Sequence, residues 1–318
     1  MPTAPSAFGD LVLGGNVFGW TADAALGHRI LDAFVDAGGT AVDTADVYSA
    51  WVDGNSGGES EEIIGSWLTR RTDRDALSIA TKVFSHPRRP GLSPANIRGA
   101  LEDSLRRLRT DHVDLYYAHR DDPEVPQEEY LGVLHELVTE GKIREIGASN
   151  FEAGRLRSAA AITAAGDLTP VTVAQDRVNL VERAYEQELA PTLAELGIVE
   201  LPYSSLASGF LSGKYRPGRE VDSVRAGGAG AYLEDPRNVA LLEVLDEIAA
   251  GHGVGISAIA LSWLRSRPAV AAPIASARTL EQLAALVRTI GLELSTQEVA
   301  ALDAASAHRL PEAASTGA

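Results

Sequence analysis

The chain has 318 residues, 45% of them hydrophobic, and carries 28 cationic and 44 acidic side chains, for a net charge of −16. Its strong negative charge argues against nucleic acid or an anionic membrane as a partner, because both attract basic surfaces. The absence of cysteine excludes disulfides, thiolate metal sites and cysteine nucleophiles.

Short apolar runs alternate with amphipathic stretches along the whole chain. The predicted strands are Leu11–Gly15, Thr40–Asp43, Ala76–Lys82, His112–Ala118, Ile143–Ala148, Val171–Gln175, Ile198–Tyr203 and Val270–Ile274. The predicted helices among them are Ala24–Ala37, Ser60–Thr69, Pro94–Leu108, Gln127–Thr139, Glu152–Ala164, Glu186–Leu196, Arg237–Ala250 and Thr279–Thr289. This alternation predicts βα units and a parallel sheet.

The absence of a glycine-rich phosphate-binding turn favours a closed barrel over an open doubly wound sheet. Open sheets usually carry G-x-G-x-x-G after their first strand, and no predicted strand is followed by that motif. We therefore predict one α/β domain over residues 1–318, a (β/α)8 TIM barrel. Extra helices are predicted at Ser257–Arg265 and Ser295–Ala307, and a flexible tail at residues 311–318. Without a signal peptide or an apolar run of about 18 residues, a cytoplasmic location is expected.

Two predicted loops at the C-terminal face are long, Ser49–Gly58 and the glycine-rich Ala207–Pro236. Long loops in a compact domain are usually lids or clamps, and disorder is the alternative. We expect the second loop to be mobile and to close over a bound ligand.

Titratable side chains gather where the predicted strands end, which is where barrels of this kind carry their chemistry. The second strand ends at Asp43 with Tyr48 shortly after it, the third at Lys82 and the fourth at His119. Taken singly, each has a structural explanation: a helix cap, a packed aromatic ring, an ion pair or a core histidine. Their joint occurrence at neighbouring strand ends favours catalysis, and Lys82 is one of only three lysines in the chain.

These four residue types suit the reduction of a carbonyl coupled to proton transfer. The carbonyl oxygen gains negative charge as hydride arrives, and a nearby proton donor stabilises it. A tyrosine with its ordinary pKa near 10 is a weak acid at neutral pH. We expect the Lys82 ammonium to lower the pKa of Tyr48, Asp43 to keep Lys82 charged, and His119 to orient the carbonyl.

At these residues the chain resembles the aldo-keto reductase family over nearly its whole length. The matching motifs are D-T-A-D-V-Y with Asp43 and Tyr48, A-T-K-V with Lys82, and L-Y-Y-A-H with His119. The resemblance implies Tyr48 as general acid, Lys82 and Asp43 as the pair that tunes it, and His119 as the group that orients the carbonyl. No metal is implied, and the implied partner is a small carbonyl compound.

The resemblance also implies residues that hold a nicotinamide cofactor. Ser149, Asn150 and Gln175 match the positions that grip the carboxamide, and Tyr203 matches the ring that stacks on the nicotinamide. The segment that begins at Tyr203 continues into the loop that binds the pyrophosphate. The implied cofactor-binding residues there are Ser204, Leu206, Ala207, Gly209 and Lys214, and Arg225 is a further candidate for binding phosphate.

The segment expected to bind the adenosine end departs from the family pattern. Ser276 stands where many members carry lysine, and Gln282 where they carry arginine. Arg278 is the cation that replaces them. NADP is therefore favoured, with NAD as the alternative.

Within the family the chain is similar to a bacterial branch related to the potassium-channel beta subunits. The similarity lies in H-R-D-D-P after the fourth strand and in W-V-D-G-N-S-G-G-E-S-E after the second. It places Trp51 and Arg120 beside the substrate. Neither the substrate nor the oligomeric state follows from the sequence.

Two other functions stay open. The first is a cofactor-binding regulatory or structural subunit with slow turnover, which the channel resemblance allows. The second is a Schiff-base aldolase or isomerase with Lys82 as nucleophile. Asp43 and Tyr48 argue against the second, and the presence of all four catalytic residue types argues against the first.

Overall fold

The computed structural model describes residues 8–219, 221 and 226–309. The predicted tail at residues 311–318 and the phosphate candidate Arg225 lie outside these ranges.

Eight parallel strands form one curled sheet. The strands are β1 Val12–Gly14, β2 Ala41–Asp43, β3 Ser78–Val83, β4 Val113–Ala118, β5 Ile143–Ser149, β6 Val171–Gln175, β7 Val199–Glu200 and β8 Ile274–Ala275. They follow the order β7-β6-β5-β4-β3-β2-β1-β8. Hydrogen bonds from Glu200 N to Ala269 O (2.7 Å) and from Ala271 N to Glu200 O (2.9 Å) join the two edges. The predicted (β/α)8 barrel is confirmed.

Helices follow the strands and cover the outside of the sheet. They are α1 Ala24–Asp36, α2 Glu59–Leu68, α3 Pro94–Leu108, α4 Gln127–Thr139, α5 Ala153–Ala165, α6 Leu189–Leu196, α7 Ala226–Gly230, α8 Pro236–His252, α9 Ile256–Arg265, α10 Leu280–Leu286 and α11 Thr296–Ser306. Local capping fixes several boundaries. Ser93 accepts a hydrogen bond from Asn96 N at the start of α3, and Gly197 ends α6 in the left-handed region.

Two buried clusters show how the strands alternate. A small cluster fills the barrel interior, with Ala41, Ala80, Leu115 and Val173 among its members. A much larger cluster lies between the sheet and the helices. Because side chains two residues apart share a face, the next inward positions toward the C-terminal ends carry the polar groups of the candidate site.

The eighth strand was misplaced in the sequence prediction. Val270–Ile274 was expected, but β8 is Ile274–Ala275. Val270 instead forms an isolated bridge to Glu200 of β7. The start of this apolar run, at Val270, therefore closes the barrel against β7. Only its last residue, Ile274, pairs with β1. Apolarity alone cannot separate these two uses.

The described parts of the two long loops contain regular local structure. Glu59 accepts backbone hydrogen bonds from Ser49, Ser56 and Gly57, which fixes the first loop. The second loop contains a 3-10 segment at Ala207–Ser212 and the short helix α7.

Within the described ranges, no single helix is long and apolar enough to cross a membrane. Only α8 and α9 taken together pass that test, and they meet at an angle of 95°. The same part of the chain contains no group of three or more histidine and acidic side chains arranged to hold a metal ion.

Candidate active site

The strand alternation brings four of the predicted polar side chains to one end of the barrel. Asp43 lies two positions beyond Ala41, Lys82 two beyond Ala80, and Gln175 two beyond Val173. His119 follows β4 in the same phase as the interior residues Leu115 and Tyr117. The barrel interior is thus apolar in its middle and polar at the C-terminal ends of the strands.

Lys82 is the centre of this layer. Its ammonium is fully buried and donates to Asp43 Oδ1 at 2.5 Å, to Thr44 O at 2.8 Å and to the Tyr48 hydroxyl at 3.4 Å. Burial has the largest single effect and would lower the pKa of Lys82, but the charges and hydrogen bonds of Asp43 and Tyr48 together outweigh it and raise the pKa above its usual value. Lys82 is therefore a charged ammonium at neutral pH.

Asp43 is held from two sides. Its Oδ1 atom accepts from Lys82, and its Oδ2 atom accepts a hydrogen bond of 2.9 Å from Gln175 Nε2. Both oxygens of this buried carboxylate are thus satisfied, which makes the buried ion pair tolerable.

Tyr48 differs from the expectation in one respect. Burial of the phenol raises the pKa of Tyr48 above its ordinary value, while the Lys82 ammonium lowers it and Asp43 raises it. The net direction is upward, so the expected lowering by Lys82 is present but smaller than the effect of burial. The prediction of a net lowered pKa was wrong for the protein alone.

His119 lies next to Tyr48, with 6.2 Å between the ring centroids. Burial, together with the positive charges of Lys82 and Arg120, lowers the pKa of His119 to about 3. The imidazole is therefore neutral at physiological pH and carries one N–H donor and one acceptor nitrogen. Arg120 is exposed beside it.

An aromatic wall covers one side of Tyr48. Trp51 meets Tyr48 edge to face at a centroid distance of 5.7 Å, and Trp20 meets Trp51 in the same way at 5.9 Å. The Trp51 side chain is 50% exposed. Trp20, from the loop after β1, was not identified from the sequence, since no motif there marks it as a site residue.

The residues expected to grip a carboxamide form one network. Asn150 donates from Nδ2 to His119 O at 3.1 Å and accepts at Oδ1 from the Tyr203 hydroxyl at 2.8 Å. Ser149 donates from Oγ to Gln175 O at 2.8 Å. The structure thus brings these four residues together beside His119. In this arrangement the Gln175 amide is engaged by Asp43.

The turn after Tyr203 has a shape that suits phosphate. Ser204, Ala207, Ser208 and Gly209 all have positive φ, and Leu206 O accepts the Gly209 N–H. Because Ala207 N donates to Ser204 O and Gly209 N to Leu206 O, both at 2.8 Å, only the other backbone N–H groups of the turn are left to face an anion.

Lys214 follows this turn and supplies a positive charge. Its Nζ atom lies 4.8 Å from the Tyr215 ring centroid, and it forms no ion pair with any described carboxylate. The positive charge of Lys214 next to this turn suits a pyrophosphate.

Two of the side chains expected to bind the adenosine end are held by hydrogen bonds within the protein. Ser276 donates from Oγ to Asn16 Oδ1 at 2.6 Å, and Gln282 Oε1 accepts from Arg278 N at 2.9 Å. Arg278 comes directly before Thr279, the N-cap residue of α10. Ser276 and Gln282 thus do not replace the cations of the family pattern.

The sequence interpretation missed two further residues of the site. Tyr117 lies inside the barrel with its ring 5.5 Å from Lys82 Nζ, and its phase with Leu115 and His119 could have revealed it. Asn179 donates from Nδ2 to Ser204 O at 3.0 Å and braces the turn, which no local pattern shows.

Comparison with known proteins gives a consistent result. A profile of the aldo/keto reductase family matches residues 10–307. The chain is 32% identical over 296 residues to the uncharacterized oxidoreductase YrpG of Bacillus subtilis, covering 90% of this chain and 89% of that protein. It is 31% identical over 303 residues to the aldo-keto reductase YhdN of the same organism, covering 91% and 86%. It is 31% identical over 315 residues to the norsolorinic acid reductase stcV of Emericella nidulans, covering 94% and 78%. The chain belongs to the aldo/keto reductase family.

Proposed function

We propose that the protein reduces an aldehyde or ketone to an alcohol with NAD(P)H, and catalyses the reverse oxidation. The observation that supports this most directly is the buried group in which Lys82 Nζ contacts both Asp43 and the Tyr48 hydroxyl. It joins a proton donor, a fixed positive charge and the counter-ion that keeps this charge in place.

Tyr48 is the proton donor in this proposal. When bound, the nicotinamide supplies the hydride to the carbonyl carbon. The Tyr48 hydroxyl gives its proton to the carbonyl oxygen as that oxygen gains charge, and Lys82 stabilises the phenolate that remains. Asp43 pairs with Lys82 and keeps that amine charged.

Neutral His119 directs the carbonyl. Its low pKa means that the ring donates one N–H without adding a positive charge that would compete with Lys82. A donor of this kind fixes the position of the carbonyl oxygen beside the Tyr48 hydroxyl.

The residues that would hold the cofactor line the same rim. Ser149, Asn150 and Gln175 would bind the carboxamide, and Tyr203 would stack on the nicotinamide. Lys214 and the turn at Ser204–Gly209 would bind the pyrophosphate. Arg278 supports NADP over NAD, because an arginine at a helix N-terminus suits a 2′-phosphate.

The raised pKa of Tyr48 gives some support to a second function, a cofactor-binding subunit with slow turnover. A phenol with a raised pKa is a weaker acid, so proton transfer would be slow unless bound ligands change its surroundings. A Schiff-base enzyme is less well supported, since Asp43 keeps Lys82 protonated and a protonated amine is no nucleophile.

The test is consumption of NADPH and NADH with a panel of aldehydes and ketones. The proposal predicts steady turnover, and predicts that Tyr48→Phe loses most of kcat while its affinity for NADPH stays nearly unchanged. Tyr130→Phe, which removes a hydroxyl bonded to Asp121 outside the site, is the matched control. Tight NADPH binding without turnover in the wild type would favour the subunit instead.

A further inference from the structure

Asp46 is a buried acid that the proposed chemistry does not use. It lies two residues before Tyr48, in the turn that leads from β2 to the catalytic phenol, and its side chain is fully buried. In the described part of the chain neither of its carboxylate oxygens has a well-formed hydrogen bond, and the neighbouring Val47 N–H lowers its pKa less than any other group. A buried carboxylate without partners is costly when charged, and less so when protonated.

Charged and titratable groups approach Asp46 from every neighbouring element. They are Glu61 of α2, His86 and Arg89 of the loop after β3, Arg107 of α3 and Tyr116 of β4.

The two nearby arginines are engaged elsewhere. Arg107 Nε donates to Glu61 Oε2 at 2.6 Å, and Arg89 is paired with Asp103. Neither therefore bonds to Asp46, although both attract a negative charge on it. Burial and the Glu61 carboxylate outweigh that attraction and raise the pKa of Asp46 to about 7.

Asp46 is also tied to the catalytic residues through the backbone. Asp46 N donates to Lys82 O at 3.2 Å, and Tyr48 N donates to Ala45 O at 3.1 Å. Tyr48 O accepts from Gly58 N at 2.9 Å. A shift of the Asp46 side chain toward either arginine would therefore move the short turn that carries Tyr48.

We propose that Asp46 is a positioning residue for Tyr48: as an uncharged carboxyl it keeps the turn in the position seen here, and ionisation draws it toward Arg89 and Arg107 and displaces the phenol. Two experiments test this inference. The first measures tryptophan fluorescence and does not depend on the proposed function. The second measures kcat and rests on the proposed carbonyl reductase function.

The fluorescence experiment uses the tryptophans beside Tyr48. Because Trp51 contacts the Tyr48 ring and Trp20 contacts Trp51, their fluorescence reports the position of the phenol. We expect wild-type fluorescence to change in one step near pH 7. Asp46→Asn and Trp51→Phe should abolish the step, and Asp53→Asn, which removes an exposed acid from the following loop, should keep it.

A second variant keeps the test decisive if Asp46→Asn does not fold. Arg89 lowers the pKa of Asp46, so Arg89→Gln should move the midpoint of the step to higher pH. An unchanged midpoint, or an intact step in Asp46→Asn, would overturn the inference.

The kinetic experiment measures kcat for the reduction of a carbonyl substrate across the same pH range. We expect kcat to fall as pH rises through the fluorescence midpoint in the wild type, and to show no such fall in Asp46→Asn. Equal pH profiles of kcat would overturn the positioning role. If no carbonyl is reduced at all, the proposed function fails, and the fluorescence step still tests the inference about Asp46.

Discussion

The amide nitrogen of Gln175 donates a 2.9 Å hydrogen bond to Asp43 Oδ2 across 132 positions of the sequence. The Asp43 carboxylate is therefore held by side chains from two other strands, Lys82 of β3 and Gln175 of β6. This explains how a buried lysine stays charged, since its counter-ion has no unsatisfied oxygen.

Replacing Lys82 by methionine should destabilise the protein as well as abolish turnover. The change leaves Asp43 buried without its counter-ion, and breaking such a pair costs about 3–5 kcal/mol. Urea unfolding would measure the loss. Lys142→Met is the control, because Lys142 forms partly exposed ion pairs with Glu102 and Glu140, and its loss should cost less than about 1 kcal/mol.

A double variant tests the cause of that loss. Adding Asp43→Asn to Lys82→Met removes the unpaired charge, so the double variant should recover part of the lost stability. If the double variant is no more stable than Lys82→Met alone, the unpaired carboxylate is not the reason.

The pKa of Asp46 predicts how stability depends on pH. The folded state keeps a proton up to about pH 7, which the unfolded chain releases near pH 3.8. The stabilisation is complete below the lower value and is lost as pH rises to the higher one. Relative to Asp46→Asn, the wild type should lose about 1.6 kcal/mol of unfolding free energy between pH 5.5 and 7, because the slope of about 1.4 kcal/mol per unit falls to half of that at the folded pKa.

Thermal or urea unfolding of both proteins at several pH values would measure this difference. Other buried acids, such as Glu200, contribute equally to both and cancel. A difference that stays constant across this range would show that Asp46 is ionised in the folded state.

The sequence was sufficient for the parts of the fold and site that depend on local patterns. The α3 and α4 boundaries were predicted to the residue, because Ser93-Pro94 and the amphipathic spacing determine them. The polar rim could be predicted because Asp43 and Lys82 end strands whose inner positions alternate regularly.

The remaining features depend on contacts between distant segments. The position of β8 is set by its pairing with β1, and the contact of Trp20 with Trp51 joins loops after different strands. The direction of the Tyr48 pKa depends on how burial compares with the charge of Lys82, and burial cannot be obtained from residue spacing.

Trp20 should influence which substrates bind. The edge-to-face contacts that link Trp20, Trp51 and Tyr48 form an apolar aromatic wall beside the phenol. An aromatic contact of this kind is worth about 0.5–1.5 kcal/mol. Trp20→Leu should therefore raise KM for aromatic aldehydes about 2- to 10-fold and change KM for small aliphatic aldehydes little. Equal changes for both classes would indicate a general loss of site structure.

Arg278 should distinguish the two nicotinamide cofactors. NADPH differs from NADH only by the 2′-phosphate, and Arg278, next to the N-terminus of α10, is the cation that we assign to it. A hydrogen bond to a charged group contributes about 1.5–3 kcal/mol, so Arg278→Ala should weaken NADPH binding about tenfold or more and leave NADH nearly unchanged. Lys214→Met is the matched control, because the pyrophosphate is common to both cofactors and both affinities should fall together. Fluorescence titrations would give the four dissociation constants. If Arg278→Ala weakened both cofactors to the same extent, Arg278 would contact a part that they share, and the preference for NADP would lose its physical basis.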